Sequence, residues 1–135
     1  MTEQQSVDFL LEMSRVIGPI PGKWIQLGIT PLETDILVGD IGLLLEQNGE
    51  AAEIGFTLDR QYQGLGLATE AVNLVVEALF SSTEVRKVRG VTDARNSASI
   101  RLLGRTDFVK VSEQANMNRG EACTEYVFER SKRAA

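Results

Sequence analysis

The sequence predicts an α/β fold of the α+β kind, in which a mixed and mostly antiparallel sheet is flanked by helices. Three strand-like runs joined by short loops favour an antiparallel meander in the first half of the chain. A glycine-rich turn then separates the third strand from a helical run, and the later segments alternate between strand and helix. At 135 residues, the chain is expected to form one domain over residues 1–135.

Apolar periodicity and turn residues predict each element in order. Residues 3–17 are predicted to be helical, because apolar side chains recur near one face and Gly18-Pro19 ends the run. Asn48-Gly49 is a hairpin signal between the second and third strands, since this pair accepts positive φ readily. The other predicted elements are strands at 24–29, 36–45, 51–58, 85–92, 108–114 and 123–130, and helices at 68–80 and 97–105.

The turn before the helix at 68–80 carries the most functional information. It reads Gln61-Tyr62-Gln63-Gly64-Leu65-Gly66-Leu67-Ala68-Thr69. Glycine allows turn conformations and the close approach of a ligand to the backbone. The helix that follows begins with unpaired N–H groups and the positive end of its dipole. A strand, a glycine turn and an open helix start together predict an anion site suited to phosphate.

Two common phosphate loops fit this turn poorly. A Walker A loop needs Gly-Lys-Ser/Thr, and no lysine lies between Lys23 and Lys87. The dinucleotide fingerprint needs a third small residue where Thr69 stands, within a parallel βαβ unit. The pattern Gln/Arg-x-x-Gly-x-Gly/Ala fits twice, once from Gln61 to Gly66 and once from Gln63 to Ala68.

This pattern resembles the pyrophosphate loop of the GCN5-related N-acetyltransferases (GNAT). The register from Gln63 is preferred, because Gln63 to Ala71 is similar to the RimJ/RimL branch, which acetylates ribosomal-protein N-termini. The segment Asn96 to Phe108 is also similar to the family's Asn-x-x-Ser-x-x-Leu-Leu-Glu-Lys-x-Gly-Phe. Gly104 and Asp107 depart from it, although aspartate tolerates a left-handed helix end better than most residues. The resemblance covers roughly residues 36 to 130.

The resemblance implies a GNAT fold that binds acetyl-CoA or coenzyme A. It implies that backbone amides between Gln63 and Thr69 hold the pyrophosphate, and that the strand residues before the loop pair with the pantetheine amides. The implied cofactor-binding residues are Phe56, Thr57, Leu58, Gln63, Gly64, Leu65, Gly66, Leu67, Ala68, Thr69 and Asn96.

Asn96 and Ser99 begin the helix at 97–105. Asn96 fits an N-cap, and the resemblance adds a hydrogen bond to the pantetheine arm; both roles are compatible. The resemblance implies that Ser99 protonates the departing thiolate, whereas the tyrosine that many members use would stand at Leu103. Arg101 and Arg105 share a helix face, either as a solvated surface or as partners of the 3′-phosphate.

Glu53 is the candidate general base. It lies on the strand that feeds the loop, and burial would raise its pKa towards that of a useful base. Strand alternation places it opposite Ile54 and Phe56, so a solvated surface residue is the alternative. A dedicated base is not obligatory, because a small fraction of an amine is uncharged at neutral pH.

The front of the chain departs from the family. Its members usually begin with a further strand and helix, yet only about 22 residues precede Trp24. We therefore expect the opening strand to be missing or replaced. Much of the family's acceptor pocket comes from this region, so the acceptor stays open, and an uncovered sheet edge makes a homodimer an option.

Composition excludes several classes of function. The chain has no histidine, which rules out histidine-dependent nucleophilic sites and histidine-ligated metals, and no metal site is predicted. A net charge of −5 argues against nucleic acid and suits a cationic acceptor such as a polyamine, an aminoglycoside or a basic peptide. A single cysteine, an acidic N-terminus and the lack of a long apolar run favour the cytoplasm without membrane association.

The leading hypothesis is an N-acetyltransferase that moves the acetyl group of acetyl-CoA to a primary amine by direct attack in a ternary complex. The acceptor would be a protein N-terminus or a small cationic amine. The alternative is a non-catalytic acyl-CoA-binding module or subunit, favoured by the short front and by leucine at position 103. A nucleotide-binding fold of another kind is a weaker third option.

Overall fold

A computed structural model describes residues 7–10, 22, 24–31, 36–58, 66–118 and 120–133. Within these ranges the chain forms seven strands and two helices. The strands are β1 (Val7–Leu10), β2 (Trp24–Pro31), β3 (Gly39–Leu45), β4 (Ala51–Leu58), β5 (Lys87–Asp93), β6 (Val109–Asn118) and β7 (Glu121–Ser131). The helices are α1 (Leu67–Ser82) and α2 (Ser97–Arg105).

The strands form one sheet in the order β1-β2-β3-β4-β5-β7-β6. Every neighbouring pair is antiparallel except β4 and β5, which are parallel. The predicted mixed, mostly antiparallel sheet with flanking helices is therefore confirmed. The Asn-Gly hairpin is confirmed as well, because Gly49 has a φ of 76° between β3 and β4.

The helix predicted for residues 3–17 is wrong over Val7–Leu10. These residues form β1, which pairs antiparallel with β2 from Val7 opposite Pro31 to Leu10 opposite Gly28. A strand therefore precedes β2 in the sheet, whereas the opening strand was expected to be missing or replaced. The hydrogen bonds of β1 come from a distant segment, which a local apolar spacing cannot reveal. The rest of the predicted helix lies outside the described residues.

Both helices pack on the same face of the sheet and form the core with it. Alternate residues of the strands point to this face, as the buried Ile25, Leu27 and Ile29 of β2 illustrate. The apolar stripe of α1 and the paired leucines of α2 cover them. The helical part of the core consists of Leu67, Ala71, Val72, Val75, Val76 and Leu79 from α1 and Leu102 and Leu103 from α2.

Arg130 of β7 forms hydrogen bonds to α1 and to the end of α2. Its guanidinium donates to Asn73 Oδ1 of α1 at 2.9 Å and to the carbonyl oxygen of Thr106 at 3.1 Å. After Thr106, Asp107 has a φ of 68°, and Phe108 N–H donates to the carbonyl of Leu103 at 3.1 Å. The left-handed residue expected at this helix end is confirmed.

The two parallel strands separate before they end, and this separation positions the site. β4 and β5 pair from Ala51 opposite Lys87 to Ile54 opposite Gly90. Beyond these positions β4 stays paired with β3, and β5 stays paired with β7. At Gly90 an added Cβ would lie 2.9 Å from Leu103 Cδ2, so glycine allows α2 to pack directly over the last paired position. An opening results between the carboxyl ends of β4 and β5.

No helix within the described ranges combines the length and the apolar character required to cross a bilayer.

Candidate functional site

A cleft of about 650 Å³ lies where β4 and β5 separate. The end of β4, the start of α1 and one face of α2 form its walls, and its volume is in the range of small-molecule sites. The lining residues are Phe56, Thr57, Gly66, Ala68, Thr69, Asn96, Ala98, Ser99, Arg101, Leu102 and Arg105. The structure thus brings together seven of the residues singled out in the sequence as binding or catalytic candidates: Phe56, Thr57, Gly66, Ala68, Thr69, Asn96 and Ser99.

The first turn of α1 faces the cleft without a side-chain cap. Gly66 is the N-cap with a φ of 80°, and no described side chain caps the helix start. The Gly66 carbonyl accepts the Glu70 N–H at 3.0 Å, which leaves the three amides between them without a helical acceptor. Unpaired amides and the positive end of a helix dipole are features that favour the binding of an anion. Leu67 is buried, so only its backbone is available there.

The preceding part of the glycine loop is not described. Gln63, Gly64 and Leu65 lie outside the described residues, so their predicted contacts stay predictions. A Cβ added at Gly66 would meet no described atom within 4 Å. As far as the described residues go, space is therefore left in front of Gly66, as a backbone site for a bulky anion requires.

The end of β4 contributes its backbone more than its side chains. Phe56 packs against the core. The Thr57 hydroxyl donates to Asp40 Oδ1 at 2.6 Å, so that hydroxyl is already engaged on β3. Leu58 is the last residue of β4. On the side facing β5, this part of the strand lies beyond the paired register, so no described strand pairs with its main-chain groups there, and an extended ligand could do so.

Asn96 caps α2, as its residue type predicted. Its Oδ1 accepts the Ser99 N–H at 3.1 Å, and its carbonyl accepts the Ile100 N–H at 3.1 Å. An ion pair that sequence reasoning missed fixes the turn before it. Arg95 Nη2 lies 2.9 Å from Asp93 Oδ2, and the Arg95 hydrogen bonds hold the pKa of Asp93 down at about 2. Their spacing of two residues, just before a helix cap, was the available signal.

The wall formed by α2 carries a hydroxyl and two cations. Ser99 is partly buried on this wall, and Arg101 and Arg105, which are both exposed, line the same cleft. Among the described residues, no carboxylate lies within 4.0 Å of either guanidinium. Leu103 is 1% exposed and packs on β5, so this position belongs to the core and supplies no acid.

Glu53 does not line this cleft. It lies between the buried Ala52 and Ile54 of β4, so it points to the second face of the sheet, away from α1 and α2. There it lines a cavity of about 540 Å³ with Arg89, Val91, Ser112, Gln114, Asn116, Glu125, Val127 and Glu129. The structure therefore places the two catalytic candidates, Glu53 and Ser99, on opposite faces of the sheet.

The surroundings of Glu53 favour its protonated form. Burial raises the pKa of its carboxyl above the usual value, and Arg89 acts in the opposite direction. The neighbouring carboxylates Glu46 and Glu125 raise the pKa further. Such a carboxyl is better able to take up a proton near neutral pH than an exposed glutamate.

The sequence profile of the acetyltransferase (GNAT) domain matches residues 2–109. The chain belongs to the GNAT family. It is 32% identical over 92 residues to the uncharacterized N-acetyltransferase p20 of Bacillus licheniformis, an alignment that covers 67% of this chain and 52% of p20. The chain spans about half the length of the curated relatives it matches.

Solved structures confirm the GNAT fold. A putative ribosomal-protein-serine acetyltransferase from Vibrio cholerae has a TM-score of 0.74 at 21% identity, covering 89% of this chain and 68% of that one. The microcin C7 self-immunity acetyltransferase MccE, solved with acetyl-CoA and AMP, has a TM-score of 0.72 at 20% identity, covering 81% of this chain and 61% of that one. At these identities the likeness concerns the fold alone.

Proposed function

We propose that this GNAT chain is an N-acetyltransferase that takes its acetyl group from acetyl-CoA. The observation that carries the proposal is the cleft, where the start of α1, the end of β4 and the capped start of α2 surround one opening. Among the described residues, no side chain caps α1 and no strand pairs with the end of β4 on this side. The cofactor has a diphosphate, an amide-bearing arm and a thioester, and each has a matching group in this cleft. MccE, which shares the fold, was solved with acetyl-CoA.

The diphosphate is held by the first-turn amides of α1, between Leu67 and Thr69, with the loop from Gln63 to Leu65 completing the site. The main chain of Phe56 to Leu58 pairs with the amides of the pantetheine arm, much as a strand would. Arg101 and Arg105 face the same cleft without carboxylate partners among the described residues, which makes them available to the 3′-phosphate.

The bound cofactor supplies an acetyl group activated as a thioester. On the α2 side of the opening, Ser99 donates a proton to the departing sulfur. On the second face, Glu53 takes a proton from the acceptor amine, directly or through water. Glu53 precedes Ile54, the last paired position, so it stands beside the opening. An amine that arrives from the second face can then attack directly, with both substrates bound at once.

The acceptor is a primary amine that carries positive charge, such as a peptide N-terminus, a polyamine or an aminoglycoside. The net charge of −5 favours the approach of such cations.

We propose the cytoplasm as the compartment, because Cys123 is a free thiol. Residues 1–135 are proposed to act as one domain, and light scattering at several concentrations will show whether a homodimer forms.

The test combines binding with turnover. Calorimetry with coenzyme A measures the cofactor site, and release of the free thiol from acetyl-CoA measures transfer to a panel of peptides, polyamines and aminoglycosides. We expect binding, turnover with at least one amine, and a large loss of kcat in Ser99→Ala. The absence of coenzyme A binding, or its displacement by NAD, contradicts the proposal.

Binding without turnover on any amine would favour a non-catalytic acyl-CoA-binding module instead. The burial of Leu103 is the observation behind this second candidate, because the position where many relatives carry a catalytic tyrosine is filled by a core side chain. In that case Ser99→Ala leaves the affinity for acetyl-CoA unchanged and has no transfer to impair.

A further inference from the structure

Arg89 is the cation that lowers the pKa of the Glu53 carboxyl, yet among the described side chains the two do not form an ion pair. They are register partners on the parallel strands β4 and β5, so their side chains leave the same face of the sheet about 5 Å apart. The guanidinium contacts other carboxylates: Nη1 lies 3.3 Å from Glu46 Oε2, and Nη2 lies 3.4 Å from Glu129 Oε2. No nitrogen of Arg89 comes within 4.0 Å of a Glu53 carboxylate oxygen among these described side chains.

Two strands hold the guanidinium from different sides. Glu46 directly follows β3, and Glu129 is the register partner of Arg89 on β7. Lys87 adds a contact of 3.4 Å to the other oxygen of Glu129, which fixes that carboxylate in turn. Arg89 and Glu129 line the 540 Å³ cavity, and their side chains are 35% and 19% exposed, so water does not fully screen the contact between them.

We propose that Glu46 and Glu129 are positioning residues for Glu53: they hold the Arg89 guanidinium away, so that the Glu53 carboxylate stays unpaired and ready to accept a proton from the acceptor amine. The inference rests on the proposed function, in which Glu53 is the base. An ion pair between Arg89 and Glu53 would stabilise the charged carboxylate and make it a weaker base.

The other groups around Glu53 agree with this assignment. From β7, Glu125 accepts hydrogen bonds from Gln114 Nε2 at 2.9 Å and Asn116 Nδ2 at 3.1 Å, so its charge is held in place by neutral amides of β6. From β5, Arg89 and Lys87 are the cations, and both are engaged by carboxylates. The residues of β6 that line the cavity are uncharged. Burial and the carboxylates Glu46 and Glu125 raise the pKa of Glu53.

The test follows the Glu53 carboxyl directly by a carbon NMR pH titration, with the signal assigned through Glu53→Gln. In Glu129→Gln, and separately in Glu46→Gln, Arg89 is released on one side and can reach Glu53. We expect the Glu53 pKa to fall by about one unit. In Arg89→Met the cation is gone, and the pKa is expected to rise. A general loss of structure would not shift the Glu53 pKa in opposite directions in these variants of the two ion-pair partners.

The double variant Arg89→Met with Glu129→Gln separates positioning from direct repulsion. If Glu129 acts through Arg89, its effect on the Glu53 pKa disappears once Arg89 is absent. Glu77→Gln is the matched control, because Glu77 also contacts an arginine, Arg130 at 3.8 Å, but lies on α1 away from the cavity. It should leave the Glu53 titration unchanged.

Kinetics supply the catalytic half of the test. The acidic limb of the kcat/KM profile should move with the Glu53 pKa, downward in Glu129→Gln and upward in Arg89→Met. Identical Glu53 titrations in all variants overturn the inference, whatever the activity. Full kcat/KM in Glu53→Gln overturns the base and hence the positioning role, while acetyl transfer itself stands. Failure to bind coenzyme A counts against the proposed function instead, and the titration still decides the Arg89 geometry.

Discussion

Replacement of Gly66 by valine tests whether the cofactor site requires open space in front of the first-turn amides of α1. Gly66 is the N-cap of α1 and lines the cleft, and an added Cβ meets no described atom within 4 Å. The valine Cβ would therefore not clash with the described residues, and we expect the side chain to occupy the space in front of the first-turn amides. A diphosphate could then no longer reach those amides at hydrogen-bonding distance.

The expected loss follows from the number of contacts. Hydrogen bonds to a charged group contribute about 1.5–3 kcal/mol each. Loss of two of the three amide contacts should weaken coenzyme A binding by about 3–6 kcal/mol, or roughly 10²–10⁴-fold. The φ of 80° at Gly66 adds a separate cost in folding stability of at least about 1–2 kcal/mol, because L-residues rarely adopt this conformation.

Gly49→Val is the matched control for this cost. Gly49 has a φ of 76° in the β3–β4 hairpin, and its added Cβ also meets no described atom within 4 Å. Both variants should lose similar unfolding free energy in a denaturant titration, but only Gly66→Val should lose affinity in calorimetry with coenzyme A. Because Gly49 does not line the cleft, strain alone cannot produce the difference.

Two results would refute the reasoning. Unchanged coenzyme A affinity in a folded Gly66→Val protein means that the first turn of α1 does not hold the diphosphate. Equal loss of affinity in both variants means that reduced stability, and not the blocked amides, explains the effect.

Three further predictions concern the helix ends and the base. Asp107→Gly should raise the unfolding free energy by about 0.5–1 kcal/mol by relieving a left-handed residue at φ 68°, and a lower Tm would contradict this. Asn96→Ala should lower the unfolding free energy by about 1 kcal/mol through the lost cap, whereas Asn96→Asp should keep the cap. If Asn96→Asp has full stability but binds coenzyme A more weakly, the amide donor of Asn96 has a separate role in binding. Unchanged binding would oppose that role. Glu53→Gln should be more stable than the parent at neutral pH. A raised folded-state pKa means that the folded state binds its proton more tightly, so the parent loses stability as pH rises from the unfolded-state pKa through the folded-state pKa. The difference in Tm should vanish below about pH 4, where the carboxyl is protonated in both states.

Most of the fold could be predicted from the sequence, because its elements carry local signals. The strand and helix runs from Trp24 onward appear within a few residues of their predicted bounds, as α1 at Leu67–Ser82 illustrates. Val7–Leu10 is the exception. Four residues are too few to separate helical from alternating periodicity, and their partner strand is about twenty residues away.

The cleft could be predicted for the same reason, since the glycine turn and the Asn96 cap are local patterns. The environment of Glu53 could not be predicted from the sequence. Its neighbours Glu46, Arg89 and Glu129 come from three separate segments. Glu46 reaches Arg89 because β4 lies between β3 and β5, and Glu129 reaches it because β7 inserts between β5 and β6. No spacing in the chain gives that strand order. Alternation did place Glu53 opposite Ile54, but nothing local indicated which groups would face it there.

Gly90 connects the packing of the core with the position of the cleft, because it contacts both Ile54 of β4 and Leu103 of α2. It is the register partner of Ile54 where the parallel strands last touch, and Leu103 of α2 rests on it without space for a methyl group. Because Gly90 has no side chain, α2, which carries Ser99, can lie close to the last paired position of the two strands. Substitutions among the exposed side chains of the cleft can change what is bound. The distance between α2 and the sheet, in contrast, depends on the absence of a Cβ at Gly90.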